Sequence, residues 1–178
     1  AEMFGYDLEK STGNITVGGT TANLAALWVA REKVMKERKD LELDMDKQMH
    51  VLSNSMAHYS IEKSTAILGH NIKLHKLPTI EFKSDLDAIE KLTAKLQRRG
   101  EDVMAIVGLA GETETGKVDD FERLADIAEK YGVYLHADAA YGGPFILSRE
   151  GWRFKGISRA DSITVDPHKM LFTPYNAG

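Results

Sequence analysis

Short apolar or β-branched runs alternate along this chain with longer helical patterns, and that alternation limits its fold more than any other feature. The strand candidates are His50–Ser53, Ile72–Leu77, Val103–Leu109, Val133–Ala137 and Ser162–Val165. The helix candidates are Thr21–Arg38, His58–Leu68, Asp85–Arg99 and Asp119–Tyr131. In the third helix Leu86, Ile89, Leu92 and Leu96 recur at the 3–4 spacing of one apolar face. The fourth carries Phe121, Leu124, Ala125, Ile127 and Ala128 and opens on Asp119-Asp120, which suits a helix N-cap and its dipole. Gly100 and Gly132 stand just past helix ends, where a left-handed residue is favoured. Strands and helices in alternation predict a three-layer α/β/α fold with a mostly parallel sheet and right-handed crossovers. Ligands of such sheets bind beyond the carboxyl ends of the strands, so residues there are the ones to search for chemistry.

With 178 residues the chain has room for one domain with a core. A net charge of −4 gives no electrostatic reason to expect nucleic acid or an anionic membrane as partner. The absence of cysteine excludes disulfides, a thiolate nucleophile and cysteine-ligated metals, and suits a reducing cytoplasm. The start AEMFGYDLEK has neither the basic nor the apolar region of a secretory signal, and no apolar run approaches a membrane span. The chain opens without methionine and stops nine residues after Lys169, so it reads as a piece of a longer protein. The mixed polar run Arg31–Lys39 and the acidic stretch to Asp46 read as a solvated helix end and loop.

Three segments carry chemistry-bearing residues at the predicted ligand edge. In Thr16-Val-Gly18-Gly19-Thr20-Thr21-Ala22-Asn23 two glycines turn the chain into a helix, whose free N–H groups and positive dipole end receive a phosphate well. Taken alone it is also an ordinary cap and turn, and it is neither a Walker A loop nor a three-glycine dinucleotide fingerprint. In Val133-Tyr-Leu-His-Ala-Asp138-Ala-Ala140-Tyr-Gly-Gly143 a strand ends on a carboxylate with small residues beside it. Facing a pyridine nitrogen, such a carboxylate favours the protonated ring; alone, it caps a turn. In Ala160-Asp-Ser-Ile-Thr-Val-Asp166-Pro-His168-Lys169 a proline fixes the exit of a short strand and a lysine follows. A partly desolvated lysine there is a Schiff-base nucleophile, whereas a lone lysine is usually a solvated charge. His58 opens a helix after a strand, and its ring can stack on a cofactor or serve as a polar first-turn residue. Thr113, in Gly111-Glu-Thr-Glu-Thr-Gly116, lies on a loop at the same edge. His50, His70, His75 and His136 show no metal-ligand spacing and read as structural or surface residues, so no metal is expected. An amine, a carboxylate and an anion cradle together are what holds pyridoxal 5′-phosphate as an electron sink.

The order GGTTAN, post-strand histidine, GxTxxG loop, HADAAYGG and DSITVDPHK resembles the group II pyridoxal-phosphate amino-acid decarboxylases, from about Gly13 to Gly178. The resemblance implies fold type I, the aspartate-aminotransferase type, with residues 1–178 as part of the cofactor-binding large domain and the small C-terminal domain absent. It implies an amino-acid substrate, decarboxylation to the amine and carbon dioxide, and a homodimer in the full-length protein. By the same resemblance Lys169 forms the Schiff base, Asp138 faces the pyridine nitrogen, and Ala140 and His58 pack on opposite ring faces. Gly19, Thr20 and His168 belong to the phosphate site, and Thr113 lies close to the ring. His58, Asp138 and Lys169 are then the catalytic candidates. Many members have asparagine where this chain has Asp166; a carboxylate beside a phosphate is repulsive, so Asp166 is expected to point elsewhere. Two other readings are a carbon–carbon lyase of the same fold type, against which the Ala-Ala-Tyr-Gly-Gly run argues, and a non-catalytic α/β binding fragment.

Overall fold

The computed structural model describes residues 1–69 and 71–175, and the structural or surface role expected for His70 lies outside them. Five strands form one sheet: β1 (Met49–Asn54), β2 (Ile72–Leu77), β5 (Asp102–Leu109), β6 (Tyr134–Asp138) and β7 (Ser162–Thr164). Their order is β2-β1-β5-β6-β7 and every pairing in it is parallel. All six residues of β1 and all five of β6 are buried, as strands covered on both faces must be. Helices α1 (Gly19–Asp40) and α2 (Tyr59–Leu68) cover one face; α3 (Leu86–Arg98) and α4 (Phe121–Tyr131) cover the other.

The two cores follow from side-chain alternation along the strands. Met49, Val51, Ala105, Val107 and Leu109 meet Leu27 and Ala30 of α1 and Ile61 of α2. Leu52, Ile106, Leu135 and Ala137 meet Ile89 and Leu96 of α3 and Phe121 and Leu124 of α4. The alternation skips once. Between His50 and Val51 the register on β5 jumps from Val103 to Ala105, so Met104 is an extra residue and joins Ala105 on the α1 side.

The helix ends are local chemistry. Asp85 Oδ1 accepts from Ala88 N at 3.0 Å, and Asp120 Oδ1 from Arg123 N at 3.1 Å, each satisfying an orphan amide of the first turn. Gly132 closes α4 at φ +65°, the left-handed conformation that glycine adopts without strain.

Three expectations change. Of the Asp119-Asp120 pair only Asp120 is the N-cap, and α4 starts two residues later than expected. Asp119 is buried and accepts from Ser84 N (2.7 Å), Ser84 Oγ (2.8 Å) and Leu109 N (2.8 Å), while burial pushes its carboxyl pKa upward. Ser84 comes from a small antiparallel ribbon, β3 (Thr79–Ile80) and β4 (Lys83–Ser84), with Glu81 and Phe82 both at positive φ in its turn. Arg38, read as part of a solvated helix end, is 2% exposed. It donates Nε (2.8 Å) and Nη2 (2.6 Å) to Asp102 Oδ2 and Nη1 to the Lys47 carbonyl (2.8 Å). The loop leaving α1 and the start of β5 thus meet over its last turn.

Candidate active site

Parallel pairing puts the ends of β1, β5, β6 and β7 along one edge, and the segments leaving them line a cavity of about 720 Å³. That volume lies within the range of small-molecule sites. Gly19, Thr20, His58, Thr113, Asp138, Ala140, His168 and Lys169 all line it, so residues up to 150 positions apart in sequence (169 − 19) share one wall.

The turn into α1 is set by Gly18 at φ +142°, with Thr16 Oγ1 donating to the Gly18 carbonyl at 3.0 Å. Thr21 N and Ala22 N return to the same carbonyl, and the preceding amides of Gly19 and Thr20 have no place in the helical ladder. Gly19 is fixed by space. A Cβ there would stand 2.6 Å from Asp166 Oδ2 and 2.9 Å from Oδ1.

The Asp166 carboxylate therefore lies against the anion turn, contrary to the expectation that it points elsewhere. It is 2% exposed, and Lys169 Nζ is 2.8 Å from its Oδ2. The physical reason is the tight turn after Pro167, in which Lys169 N bonds back to the Asp166 carbonyl at 2.9 Å and both side chains leave on one side. His168 Nε2 lies 3.9 Å from the same oxygen, and the His168 ring packs on Tyr175 at 4.8 Å between centroids. Asp166 Oδ1 is buried without a hydrogen-bond partner, at the mouth of α1.

Asp138 ends β6, paired in register with Leu109, and is 8% exposed. Its Oδ1 accepts from Ala140 N at 3.2 Å and its Oδ2 from Asn23 Nδ2 at 2.9 Å. Ala140 follows as a buried small residue. Gly111 and Gly142 cross beneath it so closely that a Cβ on Gly111 would be 2.4 Å from Gly142 Cα, which is why this run needs glycine. His58 is the N-cap of α2, accepting from Ser60 N at 3.2 Å through Nδ1. Thr113 is exposed on the loop after β5. That loop is clamped by Glu112, which accepts from the amides of Glu114 and Thr115, and by the Asp119 bonds at its base.

Sequence reasoning missed Asn23, Ser60 and Glu112. It read His136 as structural or surface, and this ring is wholly buried on β6, bonded to Asn23 Oδ1 at 3.0 Å and Ser162 Oγ at 2.8 Å. Burial pushes its pKa down to about 4. The signal that could have found this group was a polar side chain beside apolar ones: Asn23 just ahead of the run Leu24-Ala-Ala-Leu27, and His136 inside a buried strand.

The donor set fits pyridoxal phosphate. A partly exposed amine, a buried carboxylate beside an alanine, and a glycine turn opening a 22-residue helix face one cavity, and the added negative charge of Asp166 is balanced by Lys169. Among the described residues no cluster has the composition of a metal site, and no helix is long and apolar enough to cross a membrane.

The profile of the pyridoxal-dependent decarboxylase conserved domain matches residues 1–178. The chain is 36% identical over 193 aligned positions to aspartate 1-decarboxylase of Aliivibrio fischeri, covering 97% of this chain and 34% of that protein. It is 38% identical over 179 positions to a probable L-tyrosine/L-aspartate decarboxylase of Methanopyrus kandleri, covering 96% and 42%. The structure superposes with a TM-score of 0.89, at 30% identity, on the glutamate decarboxylase domain of diaminobutyrate-pyruvate transaminase and L-2,4-diaminobutyrate decarboxylase from Vibrio parahaemolyticus, covering 99% of this chain and 40% of that one. The chain thus spans well under half the length of these relatives, and its fold is type I. From a family match over residues 1–178, relatives at 36% and 38% identity and a superposition at a TM-score of 0.89, the chain belongs to the pyridoxal-dependent decarboxylase family.

Proposed function

We propose that the full-length protein binds pyridoxal 5′-phosphate and decarboxylates an L-amino acid to its amine and carbon dioxide. The carrying observation is the meeting of Lys169, Asp138 and the Gly19-Thr20 turn on one cavity in a chain of this family. When bound, the cofactor supplies an electron sink for the pair released as carbon dioxide leaves. Gly19 and Thr20, with the N-terminus of α1 and His168, are the residues to hold its phosphate. Lys169 is the amine to anchor its aldehyde carbon. Asp138, with both oxygens already accepting hydrogen bonds, presents a fixed negative edge to the ring nitrogen. His58 and Ala140, which line the cavity with Thr113, would enclose the ring, and Thr113 would lie close to it. Lys169 and His58 both carry a nitrogen able to return a proton to the α-carbon. The named substrates of the relatives include acidic and aromatic amino acids, which supports the reading at the shared amino and carboxyl groups.

Residues 1–178 are in this reading part of the large domain, with a small C-terminal domain in the full-length protein. Homodimerisation is proposed with it, supported by Trp28, Val29 and Ile67, which leave large apolar side chains exposed along α1 and α2. A cytoplasmic location is proposed from the absence of cysteine.

The test is borohydride reduction of the full-length protein with pyridoxal phosphate, then peptide mass mapping and amine and carbon dioxide measurement with candidate amino acids. An adduct on Lys169 that vanishes in Lys169→Ala, together with amine release, is expected. An adduct confined to another lysine, or none, would overturn the assignment.

A further inference from the structure

Asn23 sits in the first turns of α1 with 1% of its surface exposed and reaches three groups in three directions. Its Nδ2 donates to Asp138 Oδ2 and to Ser60 Oγ, each at 2.9 Å, and its Oδ1 lies 3.0 Å from His136 Nε2. The partners dictate which way the amide faces. A carboxylate offers only acceptors, so Nδ2 must face Asp138 and Oδ1 must face His136. His136 then carries its proton on Nε2 and accepts the Ser162 hydroxyl at Nδ1, 2.8 Å away. On the other arm, Ser60 Oγ has accepted from Asn23 and gives its own proton to His58 Nδ1 at 2.8 Å. Ser60 N donates to the same nitrogen at 3.2 Å, so the N–H of the His58 ring is Nε2. Donors and acceptors match at every joint from Ser162 to His58, through elements β7, β6, α1 and α2.

We propose that Asn23 is a positioning residue for the cofactor site: it fixes the Asp138 carboxylate and, through Ser60, the tautomer of His58, so that both groups are held as one unit. The proposal rests on the cofactor reading above. Asparagine suits the task because it supplies two donors and an acceptor from a short stem. A hydroxyl supplies a single donor, and aspartate would set an acceptor against Asp138.

The test is a double-mutant cycle in the full-length protein, read as pyridoxal-phosphate affinity by fluorescence titration and as the absorption spectrum of the bound cofactor. Removing a hydrogen bond to a charged group is expected to weaken cofactor binding roughly tenfold or more in Asn23→Ala and to alter that spectrum. In an Asp138→Ala background the same change should cost clearly less, because one of the two groups through which Asn23 acts is gone and only the Ser60–His58 arm remains. Equal losses in both backgrounds, or an unchanged affinity in Asn23→Ala, would overturn the proposal. Should Asn23→Ala not fold, Asn23→Ser, whose single donor cannot serve Asp138 and Ser60 together, takes its place in the cycle. Nitrogen-15 spectra of histidine-labelled full-length protein without added cofactor give a second readout. His58 and His136 should both be protonated at Nε2, and a proton at Nδ1 of either refutes the clamp. If the wild type binds no pyridoxal phosphate, the functional reading fails and the tautomer measurement still decides the clamp.

Discussion

Gly19→Ala pits two effects of known sign against each other. Alanine is the better helix former by about 1 kcal/mol in a helix interior, and Gly19 is the first residue of α1, so an isolated helix would gain. In the folded chain the new methyl would stand 2.6 Å and 2.9 Å from the two Asp166 oxygens. That carboxylate is buried, held by the turn after Pro167 and paired to Lys169, so it has little room to retreat. Overpacking of this kind costs about 1–3 kcal/mol, which outweighs the propensity gain. The expected net result is a destabilisation of about 1–2 kcal/mol, seen as a lower urea midpoint at unchanged slope. Displacement of Asp166 should also loosen Lys169 and weaken pyridoxal-phosphate binding. The decisive measurement is the sign in a second background. With Asp166→Ala already present the obstacle is gone, and Gly19→Ala should become neutral or stabilising by up to about 1 kcal/mol. A Gly19→Ala variant as stable as wild type, or one equally destabilised with and without Asp166, would refute the steric argument.

Asp138→Ala in the full-length protein should leave the reducible link on Lys169 while lowering turnover by roughly a hundredfold or more, measured as amine release. Stability should fall as pH drops from about 6.5 towards 4. His136 has its folded pKa pushed down to about 4 by burial, and His50 and His75 are shifted down by the same cause, so the unfolded chain binds more protons in that window. His136→Gln should flatten this dependence in urea titrations across pH; a stability independent of pH below 6 in the wild type would contradict it. Arg38→Ala should destabilise by about 1–3 kcal/mol, because it empties the space of a buried stem and takes donors from the Met45 and Lys47 carbonyls, whereas Arg38→Met, which keeps the stem, should be less damaging. Equal losses in the two variants would show that charge, rather than the packed stem, holds the turn.

How much of this was legible in the chain varies with the range of the interaction. Helix α3 was visible because Leu86, Ile89, Leu92 and Leu96 repeat at its own period and Asp85 caps it within one turn. The ribbon at 79–84 was not visible, since strands of two residues carry no period and its turn uses Glu81 and Phe82 rather than glycine. Most of the candidate site residues were readable as motifs because each motif is contiguous: Gly18-Gly19-Thr20, Asp138-Ala-Ala140 and His168-Lys169. Their convergence follows from parallel pairing, which carries every strand's carboxyl end to one edge.

Asp166 and Asn23 mark where that legibility stops. Asp166 was placed away from the anion turn by a sound electrostatic argument, but Lys169 stands 2.8 Å away and supplies the counter-charge. Asn23 looked like one more residue of a helix start until Asp138, Ser60 and His136 closed around it from 37 to 115 positions away. Strand–helix order, helix caps and the set of reactive groups were written in the chain, because those depend on neighbours within a few residues. Which oxygen meets which donor emerged with the folded arrangement, since hydrogen-bond direction and the burial of charge are properties of groups brought together from distant parts of the chain.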